Sequence, residues 1–219
     1  MKILGLDEAG RGPVLGPMVI CGLMIEDEKI PLLMDLGVKD SKLLSNEKRD
    51  ELFPLLKKVS DNHLIISISP EEIDNRESNG LNLNELEGIK MAKIINALKP
   101  DRAIIDTPEP NPKTFERFIR KHLTHDCELV CEHKADIKYP VVSAASVLAK
   151  VTRDNEISEL SKNLKISIGS GYPSDPETQR FLDKYWENLS KLPFVRKSWM
   201  TVSDLYARKT QKSINDFFA

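Results

Sequence analysis

The stretch MKILGLDEAGRGPVLGP sets two adjacent acids, Asp7 and Glu8, between an apolar run and a glycine-rich turn. Burying one carboxylate is costly, and two side by side are worse because each raises the pKa of the other. A chain carries such a pair where a cation or a substrate compensates. Asp106 ends a second apolar run, AII, just before Thr107-Pro108, and Asp136 follows a third in HKADIKYP. Together, Asp7, Glu8, Asp106 and Asp136 would suit hard divalent ions such as Mg²⁺. Two such ions can activate water and stabilise the leaving oxygen in phosphodiester cleavage. A single Asp at a strand end is also an ordinary turn or cap residue, so spacing alone leaves both readings open.

The turn Gly10-Arg11-Gly12-Pro13 adds specific chemistry. Glycines let the backbone approach a ligand closely and expose N–H donors, while Arg11 brings a positive charge. Alone it would be a tight hairpin turn. Directly after paired acids it reads as a cradle for a polyanion beside a metal site.

These residues need elements to position them. Apolar and alternating runs predict strands over 2–7, 15–25, 63–69, 102–107 and 127–133. The first two, joined by the Gly/Pro turn, read as an antiparallel hairpin. The last three alternate with helical patterns, which implies parallel crossovers. Helices are expected over 45–59, with Ser45 as N-cap, over 83–99, 112–123 and 141–160, and more briefly over 176–188 and 200–208. The Ala/Ser-rich first half of 141–160 can pack closely on a sheet. Acids at strand ends converge at the edge where α/β sheets place ligands. On a regular strand Asp7 and Glu8 face opposite sides, so Glu8 must sit where the strand breaks or contribute its backbone carbonyl. The expected fold is α/β: a mixed β-sheet flanked by helices, with a small helical C-terminal region.

Composition narrows the function classes. A chain of 219 residues, 40% hydrophobic, accommodates one large domain or one domain with a small appendage. The longest apolar run, around Val14 to Ile25, is too short to span a bilayer, and Asp7 and Glu8 fall where a secretory signal would be apolar. A soluble, cytoplasmic chain is expected. The three cysteines, Cys21, Cys127 and Cys131, provide no disulfide framework. Cys127 and Cys131, with His133, lie on one expected strand, where residues four apart are separated by about 13 Å. That is too far for one zinc ion, so buried thiols are expected. A net charge of −2 exerts no global pull toward nucleic acid. A late basic cluster nevertheless stands out: Lys191, Arg196, Lys197, Arg208, Lys209 and Lys212, with Trp199 and Tyr206 between them.

The motif DEAGRGPVLGPMV over 7–19 resembles the signature of the type 2 ribonucleases H, ribonuclease HII. The likeness continues in order through VKDSKLLS (38–45), AIIDTP (103–108), HKADIKYPVVSAASVLAKVTRD (133–154) and GSGYPSDPET (169–178), and so covers most of the chain. The length is similar to that of the single-chain archaeal form. This resemblance implies an RNase H-like fold and a metal-dependent endonuclease acting on the RNA strand of RNA/DNA hybrids and 5′ to ribonucleotides embedded in duplex DNA. It implies 5′-phosphate and 3′-hydroxyl ends. Asp7, Glu8, Asp106 and Asp136 would be the catalytic acids and the ligands of Mg²⁺ or Mn²⁺, two ions in the substrate complex. It sets Asp154 in a supporting place. Gly10, Arg11 and Gly12 would recognise the 2′-OH, the group that separates RNA from DNA. Tyr172 would stack on the sugar after the ribonucleotide, and Lys39, Ser41 and Lys42 would contact phosphates.

The final stretch QKSINDFFA fits the spacing Q-x-x-[ILM]-x-x-F-F. On a helical turn Ile214, Phe217 and Phe218 share a face that can plug into an apolar pocket. The pattern resembles the clamp-binding box of proteins that dock on the PCNA-type sliding clamp, with Gln211 as polar anchor. The expected organisation is a catalytic domain over 1–175, a helical region over 176–209 and a clamp-binding tail over 210–219, in a monomer. Two alternatives make different demands. A different RNase H-like DNA nuclease would need no 2′-OH-sensing loop, and a non-catalytic clamp-bound adaptor would be expected to have damaged acids.

Overall fold

The structure is a computed structural model that describes residues 1–38 and 44–211. Five strands, β1 (Lys2–Ala9), β2 (Met18–Glu26), β3 (Asn62–Ile68), β4 (Arg102–Asp106) and β5 (Glu128–Glu132), form one mixed sheet in the order β3-β2-β1-β4-β5. The expected hairpin is present, with Asp7 of β1 opposite Cys21 of β2, and β4 and β5 continue the sheet in parallel. The edge strand β3 corrects the expectation of a parallel neighbour, because it pairs antiparallel with β2. With β4 on the far side of β1, β3 adds to the outer edge of β2, and the chain direction there sets the pairing.

Nine helices are described: α1 (Ile30–Asp35), α2 (Asn46–Val59), α3 (Pro70–Asp74), α4 (Leu83–Leu98), α5 (Pro112–Arg120), α6 (Ala135–Lys138), α7 (Pro140–Leu164), α8 (Pro176–Tyr185) and α9 (Met200–Thr210). The short α1, α3 and α6 escape a periodicity reading because they complete too few turns to show one. Ser45 caps α2 by accepting from the Lys48 N–H at 3.2 Å, as expected. The segment expected as helix to 188 tightens after Tyr185 into a 3₁₀ stretch, Trp186–Lys191.

The first half of α7 covers one face of the sheet, packing Val141, Val142, Ala144, Ala145 and Leu148 with Ile3, Val19, Cys21 and Leu23. Gly5 makes that approach possible: a Cβ there would lie 2.3 Å from the Val141 carbonyl oxygen. Helices α4 and α5 cover the other face, where Met91, Ile94, Ile95, Phe115 and Ile119 meet Leu4, Leu6 and Ile20.

A third apolar cluster joins Phe181, Leu182, Phe194, Val195, Val202 and Leu205 to Val14 and Leu15 of the β1–β2 connection. This corrects the expected start of β2 at 15. The Val14 N–H donates to the Gly171 carbonyl at 2.8 Å, and Leu15 forms an isolated bridge with Val195. Gly16, at φ +83°, then turns the chain into β2. Among the described residues no helix is long and apolar enough to cross a membrane.

Candidate active site

Asp7 lies on central strand β1, Asp106 ends neighbouring β4, and Asp136 lies in α6 just beyond β5. Parallel pairing of Leu6 with Ile105 sets Asp7 next to Asp106. The Asp106 Oδ1 accepts from the Ala135 N–H at 3.0 Å, which anchors the start of α6. As a result Asp7, Asp106 and Asp136 each offer a carboxylate oxygen within 4.8 Å of the others. Asp7 and Asp136 are buried, and Asp106 is partly exposed. Burial raises the pKa of Asp7 well above the usual carboxylate range, and Glu8 and Asp106 raise it further. A hydrogen bond from Ser146 and the charge of Lys150, both on α7, oppose the shift. The Lys150 Nζ donates to Ser146 Oγ at 2.5 Å, so α7 brings a cation to the rim of the triad. Three hard oxygen donors brought this close together, with burial disfavouring the Asp7 anion, fit a divalent cation.

Glu8 also lies within β1, so its side chain leaves the opposite side of the strand and is not one of the three clustered oxygens. It lines a cleft with Arg11, Asp106, Thr107 and Lys134. Burial raises the pKa of Glu8, then the charge of Glu87, while Arg11 lowers it. The strand runs on through Glu8, so of the two routes open to it in sequence, a strand break or its backbone carbonyl, the structure corrects the strand break.

The Gly10-Arg11-Gly12 loop is held from behind. Arg196 is fully buried and donates from Nε to the Gly16 carbonyl at 2.9 Å, from Nη1 to Arg11 at 3.0 Å and from Nη2 to Gly10 at 2.6 Å. Trp199 Nε1 donates to the Gly12 carbonyl at 3.2 Å, and the Arg196 guanidinium lies 4.9 Å from its ring centroid. Carbonyl and N–H of a trans peptide point in opposite directions. Fixing the Gly10 and Arg11 carbonyls toward Arg196 therefore turns the N–H groups of Arg11 and Gly12 outward. Gly10 has φ +83°, and a Cβ there would lie 2.4 Å from Arg153 Cδ. The exposed Tyr172 ring sits beside Gly12, 3.8 Å from where a Cβ would stand, with the Arg153 guanidinium 5.1 Å from its centroid.

The sequence reading did not find the parts played by Arg153, Arg196 and Glu87. By sequence Arg196 belongs to the late basic cluster, and the structure corrects that grouping. Arg196 is buried, and Arg208 and Lys209 pair with Asp183 at 2.8 and 3.3 Å. The only signal for Arg196 was its place between apolar Phe194-Val195 and Trp199. Asp154 is exposed on α7, paired with Arg153 at 3.6 Å and outside the triad. Burial pushes the thiols of Cys127 and Cys131 up to about 11 and about 12. Lys39, Ser41, Lys42, Ile214, Phe217 and Phe218 lie outside the described residues, and Gln211 is exposed just after α9.

Comparison with known proteins adds to this geometry. A family model described as Ribonuclease HII matches residues 4–202. The Ribonuclease HII of Pyrococcus furiosus is 43% identical over 225 residues, covering 100% of this chain and 99% of that protein. The crystal structure of the ribonuclease H2 from Pyrococcus horikoshii OT3 superposes with a TM-score of 0.88 at 41% identity, covering 97% of this chain and 100% of that one. The structure of the PCNA:RNase HII complex from Archaeoglobus fulgidus has a TM-score of 0.84 at 37% identity, with 99% and 100% covered.

Proposed function

This chain belongs to the ribonuclease HII family and is a ribonuclease H, and we propose that Asp7, Glu8, Asp106 and Asp136 form its active site. The observation that carries this reading is the convergence of three carboxylate oxygens within 4.8 Å at the edge of the sheet. The family is divalent-metal dependent, and the donor set fits Mg²⁺ or Mn²⁺. Asp7, Asp106 and Asp136 would hold the ions, with Glu8 contributing from the adjoining cleft. When bound, such ions supply an activated water and neutralise charge on the departing oxygen.

The chain's own residues do the rest. Asp7 and Asp136 present their carboxyl groups in a largely water-excluded place, and Lys150 through Ser146 keeps the Asp7 side chain oriented. The outward N–H groups of Arg11 and Gly12 receive the 2′-OH and the adjoining phosphate of a ribonucleotide. Tyr172 stacks beside them on the following sugar. Lys39, Ser41 and Lys42 supply phosphate contacts, and cleavage 5′ to the ribonucleotide leaves 5′-phosphate and 3′-hydroxyl ends. No protein nucleophile is required.

The tail, residues 210–219, docks on a PCNA-type sliding clamp through Gln211, Ile214, Phe217 and Phe218. The spacing of these residues supports this, as does the likeness to a ribonuclease HII seen in complex with PCNA. The catalytic unit is 1–175, the helices of 176–209 buttress the substrate loop, and the enzyme works as a cytoplasmic monomer.

The test is cleavage of a DNA duplex carrying one ribonucleotide, with Mg²⁺ or Mn²⁺ and with Asp7→Asn in parallel. A cut 5′ to the ribonucleotide, absent on all-DNA duplex and lost in the variant, is expected. Equal cutting of all-DNA duplex would overturn the ribonucleotide specificity. For the tail, truncation before Gln211 should abolish clamp binding and leave free-duplex cleavage intact; undiminished clamp binding would sink that assignment.

A further inference from the structure

Arg11 is the charged member of the substrate loop, yet its guanidinium is already engaged. Nη1 donates to Glu87 Oε1, and Nη2 donates to Asn84 Oδ1 at 2.5 Å. Both acceptors lie on α4, where positions three apart share a face. Glu87 has no solvent exposure, on a helix that also buries Leu86, Met91, Ile94 and Ile95. A carboxylate in such surroundings is retained only when paired, and Glu87 Oε2 finds no partner among the described residues. Asn84 is itself fixed, donating from Nδ2 to Glu109 Oε2 at 2.5 Å, three residues beyond Asp106. Glu87 is fully buried with Arg11 as its ion-pair partner. Its one engaged oxygen serves Arg11.

We infer that Glu87 is a positioning residue for the substrate loop, with Asn84 completing a two-acceptor seat for Arg11. Glu87 holds the guanidinium on the α4 side while Arg196 holds the carbonyls of Gly10 and Arg11 from another direction. The loop therefore meets substrate with main-chain N–H groups, and the Arg11 side chain acts as a strut rather than as a cation for phosphate. This rests on the reading of the loop as the ribonucleotide cradle.

The experiment is a double-mutant cycle of Glu87→Gln and Arg11→Gln, measuring kcat and KM on the single-ribonucleotide duplex at several salt concentrations. Glu87→Gln should lower kcat about tenfold to hundredfold, as a misplaced loop does. It should also leave KM no higher at low salt. The released guanidinium can then reach a phosphate, steepening the log–log salt dependence of KM by about 0.9. In the double variant that extra slope should vanish, and kcat should fall no further than in Arg11→Gln alone. Additive losses in the double variant, or wild-type kcat and salt slope in Glu87→Gln, would overturn the inference. Should Glu87→Gln not fold, Asn84→Ala paired with Arg11→Gln carries the same cycle, with the same non-additivity expected. A wild type that ignores the ribonucleotide would instead bring down the cradle reading itself.

Discussion

Arg196 and Gly10, 186 positions apart in the chain, are joined by a 2.6 Å hydrogen bond from Nη2 to the glycine carbonyl. That bond, with those to Arg11 and Gly16, makes one side chain from the C-terminal region the internal support of the loop beside the acids. The charge is held at a cost: burial, and then the neighbouring Arg153, lower the Arg196 pKa to about 9.

Replacing this support with an apolar chain of similar length leaves three carbonyls without their donor. Arg196→Met should destabilise the protein by about 3 kcal/mol, given the value of hydrogen bonds to a charged donor and the penalty for buried unpaired groups. Chemical denaturation checks this. Arg196→Lys should recover part of the loss, and an Arg196→Met variant as stable as wild type would contradict the support role.

Removing any one of the three clustered acids should separate activity from stability. Asp7→Asn, Asp106→Asn or Asp136→Asn should each lower ribonucleotide cleavage by at least about a hundredfold, the upper range for disturbing a metal site. For Asp7 the metal-free protein should at the same time gain stability at pH 8, because a buried carboxylate beside Glu8 and Asp106 is disfavoured. Retained cleavage in any of the three variants would remove that residue from the site.

The raised carboxylates also determine a pH dependence. Burial and neighbouring acids push Glu87 up to about 7 and Glu8 up to about 8, and raise Asp7 as well. Between about pH 5 and about pH 8 the folded, metal-free chain thus holds protons that the unfolded chain has released. Its stability should fall as pH rises through that window. Mg²⁺ or Mn²⁺ competes with those protons, so the increase in Tm on adding either ion should be larger at pH 8 than at pH 6. Thermal melts at both pH values, with and without metal, decide it. A metal-free Tm that climbs from pH 5 to pH 8 would run against this account.

Gly5 tests the contact that brings Ser146 and Lys150 to the acids. A Cβ at this position would lie 2.3 Å from the Val141 carbonyl oxygen and 2.6 Å from the Val142 nitrogen, both backbone atoms that cannot rotate aside. Gly5→Ala should destabilise by about 1–3 kcal/mol, the usual range for overpacking a core, and lower activity as α7 shifts. An unchanged melting temperature would mean the helix can lift without consequence.

Much of this molecule is legible in its sequence because local patterns carry it. Alternating and apolar runs mark the strands, Ser45 marks the start of α2, and the Ala/Ser-rich face of α7 marks a close contact with the sheet. Asp7, Asp106 and Asp136 stand out as acids where apolar runs end. Distant pairing decides the rest. The parallel register of β1 with β4 brings Asp7 and Asp106 together, and the strand continuing through Glu8 sends that side chain to the other side. Arg196 reads as one more member of a basic cluster, and Glu87 as one more acid on a helix, until the fold buries both against the same loop. A charge's role follows from what surrounds it, and for these two residues the surroundings come from chain segments 76 and 186 positions away.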